Sequence, residues 1–266
     1  EAAAVYAVCI KTFTLAQQAV WRIFDFSIAA LSEMVVRDER ERLARRFRDI
    51  VILGGSLSVV VGITVAACNG AFVTLWTHGK VHWPGLNDWL LAGVFIAFSL
   101  NRVHGGLAWI AKDVRKMRYV YFVEGLAFVI SAICVVPIFG MPGIITASIL
   151  TDCLVSGCYG TSLSARFLQI PFRRAIAAWF LPPARLLALF APIALGVWML
   201  TRPLAPASQL AINAGVLGLI GITLLWIIGL DSAHRSEFGA MLRNALAAAG
   251  FGRRKCAAIS PDEEER

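Results

Sequence analysis

The stretch IVILGGSLSVVVGITVAACNGAFVTLW, residues 50–76, decides the class of the fold. It is 27 residues long and carries no charge. Crossing the ~30 Å hydrocarbon core takes about 20 mostly apolar residues in a helix, because every backbone donor and acceptor must be satisfied within the segment. Working outward with the same criterion finds further candidates on both sides. They are roughly 4–35, which is longer and more polar than needed, then 87–110, 118–138, 141–166, about 184–201 and 208–230. Residues 171–181 read as an amphipathic interfacial piece, separated from the sixth span by Pro182 and Pro183. Residues 231–266 read as a polar tail. The expectation is an all-α fold, a polytopic membrane helix bundle of about seven transmembrane helices.

Composition agrees. Of 266 residues, 58% are hydrophobic and 16% charged, against about 45–50% and about 25% in soluble domains. This excludes a soluble enzyme, a disordered regulator and a nucleic-acid module. The net charge of +8 would suit nucleic acid, but its placement does not. Arg37, Arg40, Arg42, Arg45, Arg46 and Arg48 follow the first span, and Lys80 alone follows the second. Lys112, Arg115, Lys116 and Arg118 follow the third, and the turn at 139–141 has no basic residue. Arg166, Arg173, Arg174 and Arg185 come next, then Arg202 alone, then the basic tail. Such alternation sets topology, with basic loops in the cytoplasm. It places the N-terminus outside and the C-terminus in the cytoplasm, where the loops face anionic lipid. No nucleic-acid partner is expected.

The six cysteines have no CxxC spacing, and they read as small buried hydrophobes. His78 and His82, spaced i, i+4 beside Trp76 and Trp83, read as an aromatic belt and not as a metal site. No Walker loop, GxGxxG, HExxH or Gly-x-Ser-x-Gly occurs. No cofactor, metal or catalytic residue is expected, and the chain reads as a non-enzyme. It lacks a secretory signal pattern and opens on Glu1 directly into an apolar run, which reads as the beginning of a fragment.

The informative residues are charges where charge is expensive. Lys11, Arg22, Asp25, Arg102, Glu124 and Asp152 lie inside spans, where a central charge costs about 2.5–3.5 kcal/mol on the insertion scale. They should face a bundle interior or a wet cavity. On a helical wheel Lys11, Thr14, Gln18, Arg22 and Asp25 fall within about 80° of one another. Arg22 and Asp25, three apart, can pair. The stripe either locks helix packing or lines a hydrophilic pathway. A second, wider stripe runs through Ser148, Asp152, Ser156, Tyr159 and Ser162. Asn101, Arg102 and His104 approach the cytoplasmic side at the depth of Glu124, so an Arg102–Glu124 or His104–Glu124 pair is expected, as a structural tie or as part of a gate.

Several segments carry a resemblance. Leu31-Ser32-Glu33 followed by Arg40-Glu41-Arg42-Leu43-Ala44-Arg45-Arg46-Phe47 resembles the link between helices eight and nine of bacterial polysaccharide (O-antigen-type) flippases, in the multidrug/oligosaccharidyl-lipid/polysaccharide exporter superfamily. Asn69-Gly70-Ala71-Phe72-Val73-Thr74-Leu75-Trp76-Thr77-His78-Gly79 is similar to the exit from helix nine. Glu124 stands where many members carry a Glu, and Val136-Pro137-Ile138-Phe139-Gly140-Met141-Pro142-Gly143-Ile144 resembles the turn into helix twelve. The resemblance covers about residues 5–168. The family has twelve to fourteen helices in two lobes around a central cavity. The chain would then divide into a partial C-terminal lobe over 1–168, two additional spans over 169–230 and a cytoplasmic tail over 231–266. A first lobe, or a partner chain supplying one, would be required.

The resemblance implies export of a lipid-linked oligosaccharide, an undecaprenyl-diphosphate glycan, across a bacterial inner membrane for cell-surface polysaccharide. Lys11, Arg22 and Arg102 would attract the diphosphate. Gln18, Asn101, Asp152 and Tyr159 would bond sugar hydroxyls. Glu124 or Asp25 would titrate, with His104 beside Glu124 at the gate. The alternatives are a multidrug exporter of the same superfamily and a membrane-embedded polyprenyl-phosphate glycosyl or prenyl transferase. The latter would need acidic metal-binding motifs, whereas Asp38, Glu39, Glu41, Asp49 and Asp113 are interleaved with Arg and Lys.

Overall fold

Apolar runs of this length can satisfy their backbone only as helix. In the computed structural model, which describes residues 2–81, 83–112 and 115–229, helices joined by short turns account for nearly all of them, with no strand. The order is α1 (Ala2–Cys9), α2 (Lys11–Val36), α3 (Arg40–Trp76), α4 (Gly85–Ile110), α5 (Met117–Thr151), a π-helical turn (Asp152–Gly157), α6 (Cys158–Phe167), α7 (Phe172–Thr201), α8 (Pro206–Leu224) and a second π-helical turn (Leu225–Gly229). Ile10 interrupts α1 and α2 only slightly, since Ile10 and Thr14 keep helical bonds to Tyr6 and Ile10 at 3.0 and 2.9 Å. The chain is a multi-pass membrane helix bundle. Arg40–Trp76, Gly85–Ile110, Met117–Phe167, Phe172–Thr201 and Pro206–Gly229 are each long and apolar enough to cross. α2 has the length, at 26 residues, but is too polar to join them.

Met117–Phe167 is two crossings. Its 51 residues would extend about 75 Å as one straight helix. Gly140 takes φ 58°, ψ −135°, a conformation open to glycine, and the chain reverses there. A Cβ on Gly143 would meet Val135 Cγ1 at 2.6 Å, whereas residues eight apart in a continuous helix lie about 12 Å apart. The result is a hairpin with arms before and after Gly140, matching the expected spans 118–138 and 141–166.

Four of the other turns have left-handed non-glycine residues: Asp38, His78, Lys112 and Gln169 all have φ between 53° and 59°. After α2, α3 and α6 the residue beyond bonds back to the carbonyl five before it: Glu39 to Met34 at 3.0 Å, Gly79 to Thr74 at 2.9 Å and Ile170 to Ala165 at 2.9 Å. His78 is thus a turn residue. No group of three or more metal-ligating side chains occurs among the described residues. His82 and the 231–266 tail lie outside them.

α3 is the hub, touching α2, α4, α7 and α8. Toward one end it packs Val59, Ile63 and Ala66 against Phe13, Leu91, Phe95, Phe190 and Leu217. Toward the other it packs Leu43, Phe47 and Val51 against Leu31, Leu107 and Trp179. The first end carries Trp76, Trp83, Trp89 and Trp198, and Trp89 and Trp198 meet edge to face at 6.1 Å. The second end gathers the basic turns.

Two expectations need correction. α7 runs unbroken from Phe172 to Thr201 through Pro182, Pro183 and Pro192. Residues 171–181 are therefore not separated from the span, and they pack one face inward, with Ala175 and Trp179 fully buried and Trp179 edge-on to Phe47 at 5.5 Å. Proline removes a donor but keeps a helical φ, and neighbouring helices hold the segment. Likewise, among the described residues only Cys9 is a buried cysteine; Cys68 is intermediate, and Cys134, Cys153 and Cys158 are exposed on the bundle surface. A thiol is apolar enough for a lipid-facing position. Cys256 lies outside the described residues.

Candidate functional site: a polar cleft between three helices

α4 is apolar where it meets α3 and turns polar near its basic end. Asn101 and Arg102 point from it into a cleft of about 610 Å³, between α2 and the second arm of the hairpin. Trp21 and Phe24 form the α2 wall, and Tyr121, Asp152 and Ser156 come from the hairpin. Gly106 lets the wall close: a Cβ there would sit 2.1 Å from Phe24 Cε1.

Two linked pairs organise the cleft. Arg102 Nη2 donates to Asp25 Oδ1 at 2.9 Å, and its guanidinium lies over Trp21, 4.7 Å from the ring centre. Beside it the Asn101 amide donates to the Asp152 carboxylate. Ser156 Oγ lies 3.2 Å from the Asp152 carbonyl and 3.3 Å from its Oδ1. Asp152 is only 6% exposed, and Glu124 stands within electrostatic reach of it. One Glu124 carboxylate oxygen is buried without a partner. The cleft is therefore lined by Arg102, whose charge Asp25 pairs, and by Asp152, which has Glu124 near it.

Asp25, Asn101, Arg102 and Asp152 are brought together, with Glu124 beside them. The pairing differs from expectation. Asp25 is bonded by Arg102 and not by Arg22, because the α2–α4 contact presents a guanidinium across the helices in better reach than one turn along α2. That leaves neither Arg102 nor His104 paired with Glu124. His104 is outside the cleft, 1% exposed. Its Nδ1 lies 3.2 Å from Ser164 Oγ, and its ring packs on Phe47, Trp179 and Phe180 at 5.6, 5.1 and 5.7 Å. It is a packing residue between α3, α6 and α7. Tyr159 also leaves the cleft. The π-helical turn Asp152–Gly157 inserts one residue and rotates the helix beyond it. The buried row continues as Ser156, Gly160 and Ser164, and Tyr159 and Ser162 face another groove.

Lys11, Gln18 and Arg22 stand apart from the cleft, exposed on α2. On the helical wheel their stripe begins about where the Trp21–Phe24 wall ends. No acidic partner of Lys11 or Arg22 occurs among the described residues.

Sequence reasoning missed a polar knot at the tryptophan end. Asp88, 2% exposed, accepts from Asn69 Nδ2 at 2.7 Å and Trp83 Nε1 at 2.9 Å. Asn69 Nδ2 also donates to the Cys9 carbonyl at 3.0 Å, and Thr12 donates to its Oδ1. The knot ties α1, α2, α3 and α4 at one point. The signal was present: Asp88, Leu91, Ala92, Phe95 and Ser99 keep helical spacing on one buried face.

Compared with known proteins, the chain matches no family model, no curated protein and no solved structure.

Proposed function

We propose that the chain is the C-terminal lobe of a lipid-linked oligosaccharide flippase in a bacterial inner membrane, oriented with its basic end in the cytoplasm. One observation carries this reading: α2 carries an exposed polar stripe, Lys11, Thr14, Gln18 and Arg22, next to the aromatic wall of a polar cleft. A diphosphate-linked glycan needs cationic and hydroxyl-rich surface along its path, and a second lobe facing α2 would enclose that path. The chain is a transporter part and not an enzyme. The Trp21 and Phe24 wall gives the related multidrug-exporter reading some support, since apolar cations favour aromatic faces.

The test is binding of an undecaprenyl-diphosphate oligosaccharide to the purified chain in lipid nanodiscs. Lys11→Ala with Arg22→Ala is expected to weaken it by about tenfold, roughly 1.4 kcal/mol. A lipophilic cationic dye should lose nothing. Undiminished glycan binding, or tighter binding of the dye than of the glycan, would sink the flippase reading.

A further inference from the structure

The two arms of the hairpin leave a second groove on the side away from the cleft. Its walls are Val120 and Val123 from the first arm and Leu154 and Val155 from the second. Its volume is about 540 Å³. On the second arm its lining extends from Leu154 to Arg166, about 18 Å along the helix axis, and on the first arm from Tyr119 to Val123, about 6 Å. At its basic end the walls turn polar, with Tyr119, Tyr159 and Arg166. The Arg118 guanidinium lies over the Tyr119 ring at 5.1 Å, which puts a second cation at the same mouth. Both arginines are exposed. Among the described residues no carboxylate pairs with either.

We propose that this groove binds one anionic phospholipid, its phosphate held by Arg118 and Arg166 and one acyl chain laid between the arms. Two features select this occupant. The groove is apolar at Val120, Val123, Leu154 and Val155 and cationic only at its other end, so it matches a lipid with an apolar chain and an anionic head group. It also opens at the basic end of the bundle, where pockets between membrane helices take anionic head groups. Tyr119 and Tyr159 line the same end and bring hydroxyls able to bond a glycerol or phosphate oxygen. The site is separate from the cleft and does not depend on what the cleft carries.

The experiment is native mass spectrometry of the full chain in detergent with phosphatidylglycerol or phosphatidylcholine of matched acyl chains. Each arginine near an anionic group is worth about a fivefold change in partition, so phosphatidylglycerol should be retained about tenfold better or more. Arg118→Gln with Arg166→Gln should bring that preference near unity. Arg173→Gln with Arg174→Gln, exposed cations at the same end but outside the groove, should leave it intact. Leu154→Trp, filling an exposed wall, should lower retention of both lipids. Equal retention by the unaltered chain, the same loss in the control pair, or no effect of Leu154→Trp would each overturn the proposal.

Discussion

α2 and the first arm of α5 both present a face that none of the other described residues covers, and the two faces differ in character. On α5 the uncovered residues are Phe122, Leu126, Val129, Ile130 and Ile133, each more than half exposed. On α2 they include Lys11, Thr14, Gln18 and Arg22. Lipid solvates the first face at no cost. It cannot solvate the second, where each charge held in hydrocarbon costs about 2.5–3.5 kcal/mol. The difference teaches that exposure has two meanings in one bundle: the α5 face suits lipid as it stands, and the charged positions on α2 do not.

The strongest way to break this comparison is to add a charge to each face. Ile130→Arg should destabilise the folded protein in a bilayer by about 2.5–3.5 kcal/mol, and Gln18→Arg by less than about 1 kcal/mol. Equal costs, read from reversible unfolding, would mean that both faces meet lipid. A smaller effect separates a glycine of α4 packed against α2 from an exposed glycine of α5. Gly106→Ala forces a methyl into Phe24 and should cost about 1–3 kcal/mol. Gly125→Ala on α5 meets nothing within 4 Å and should be neutral or stabilise by up to about 1 kcal/mol. The smallest effect is the most diagnostic. The Asp25 and Arg102 side chains are 30% and 42% exposed, so a double-mutant cycle should give a coupling of about 1 kcal/mol or less. A loss of about 3–5 kcal/mol on removing either partner alone would mark the cleft as dry and the pair as buried.

Much of the bundle was legible because its determinants are local. An uncharged run such as 50–76 has one structural outcome in lipid, and Gly140 between two apolar arms marks a reversal. The site was less legible because its geometry depends on contacts between helices. Spacing along α2 made Arg22 the obvious partner of Asp25, but the competing guanidinium of Arg102 arrives from α4, 77 positions away. The π-helical turn had no sequence signature, and one inserted residue moved Tyr159 off the face that constant 100° steps assigned to it. Asp88 was overlooked for a different reason. It sits in the first turn of α4, where an acid looks like ordinary solvated loop chemistry, until Asn69 and Trp83 are seen to close over it.

The reversal at Gly140 also bears on how the chain is made. The turn at 139–141 carries no charged residue, so the hairpin has no hydrophilic loop to drag through the bilayer. Its two arms can leave the ribosome and partition together as a preformed pair, with Val135 and Gly143 already in contact. The other turns toward the tryptophan end carry Lys80 or Arg202. In the order of synthesis, Met117–Phe167 is the segment that needs the least help from the insertion machinery.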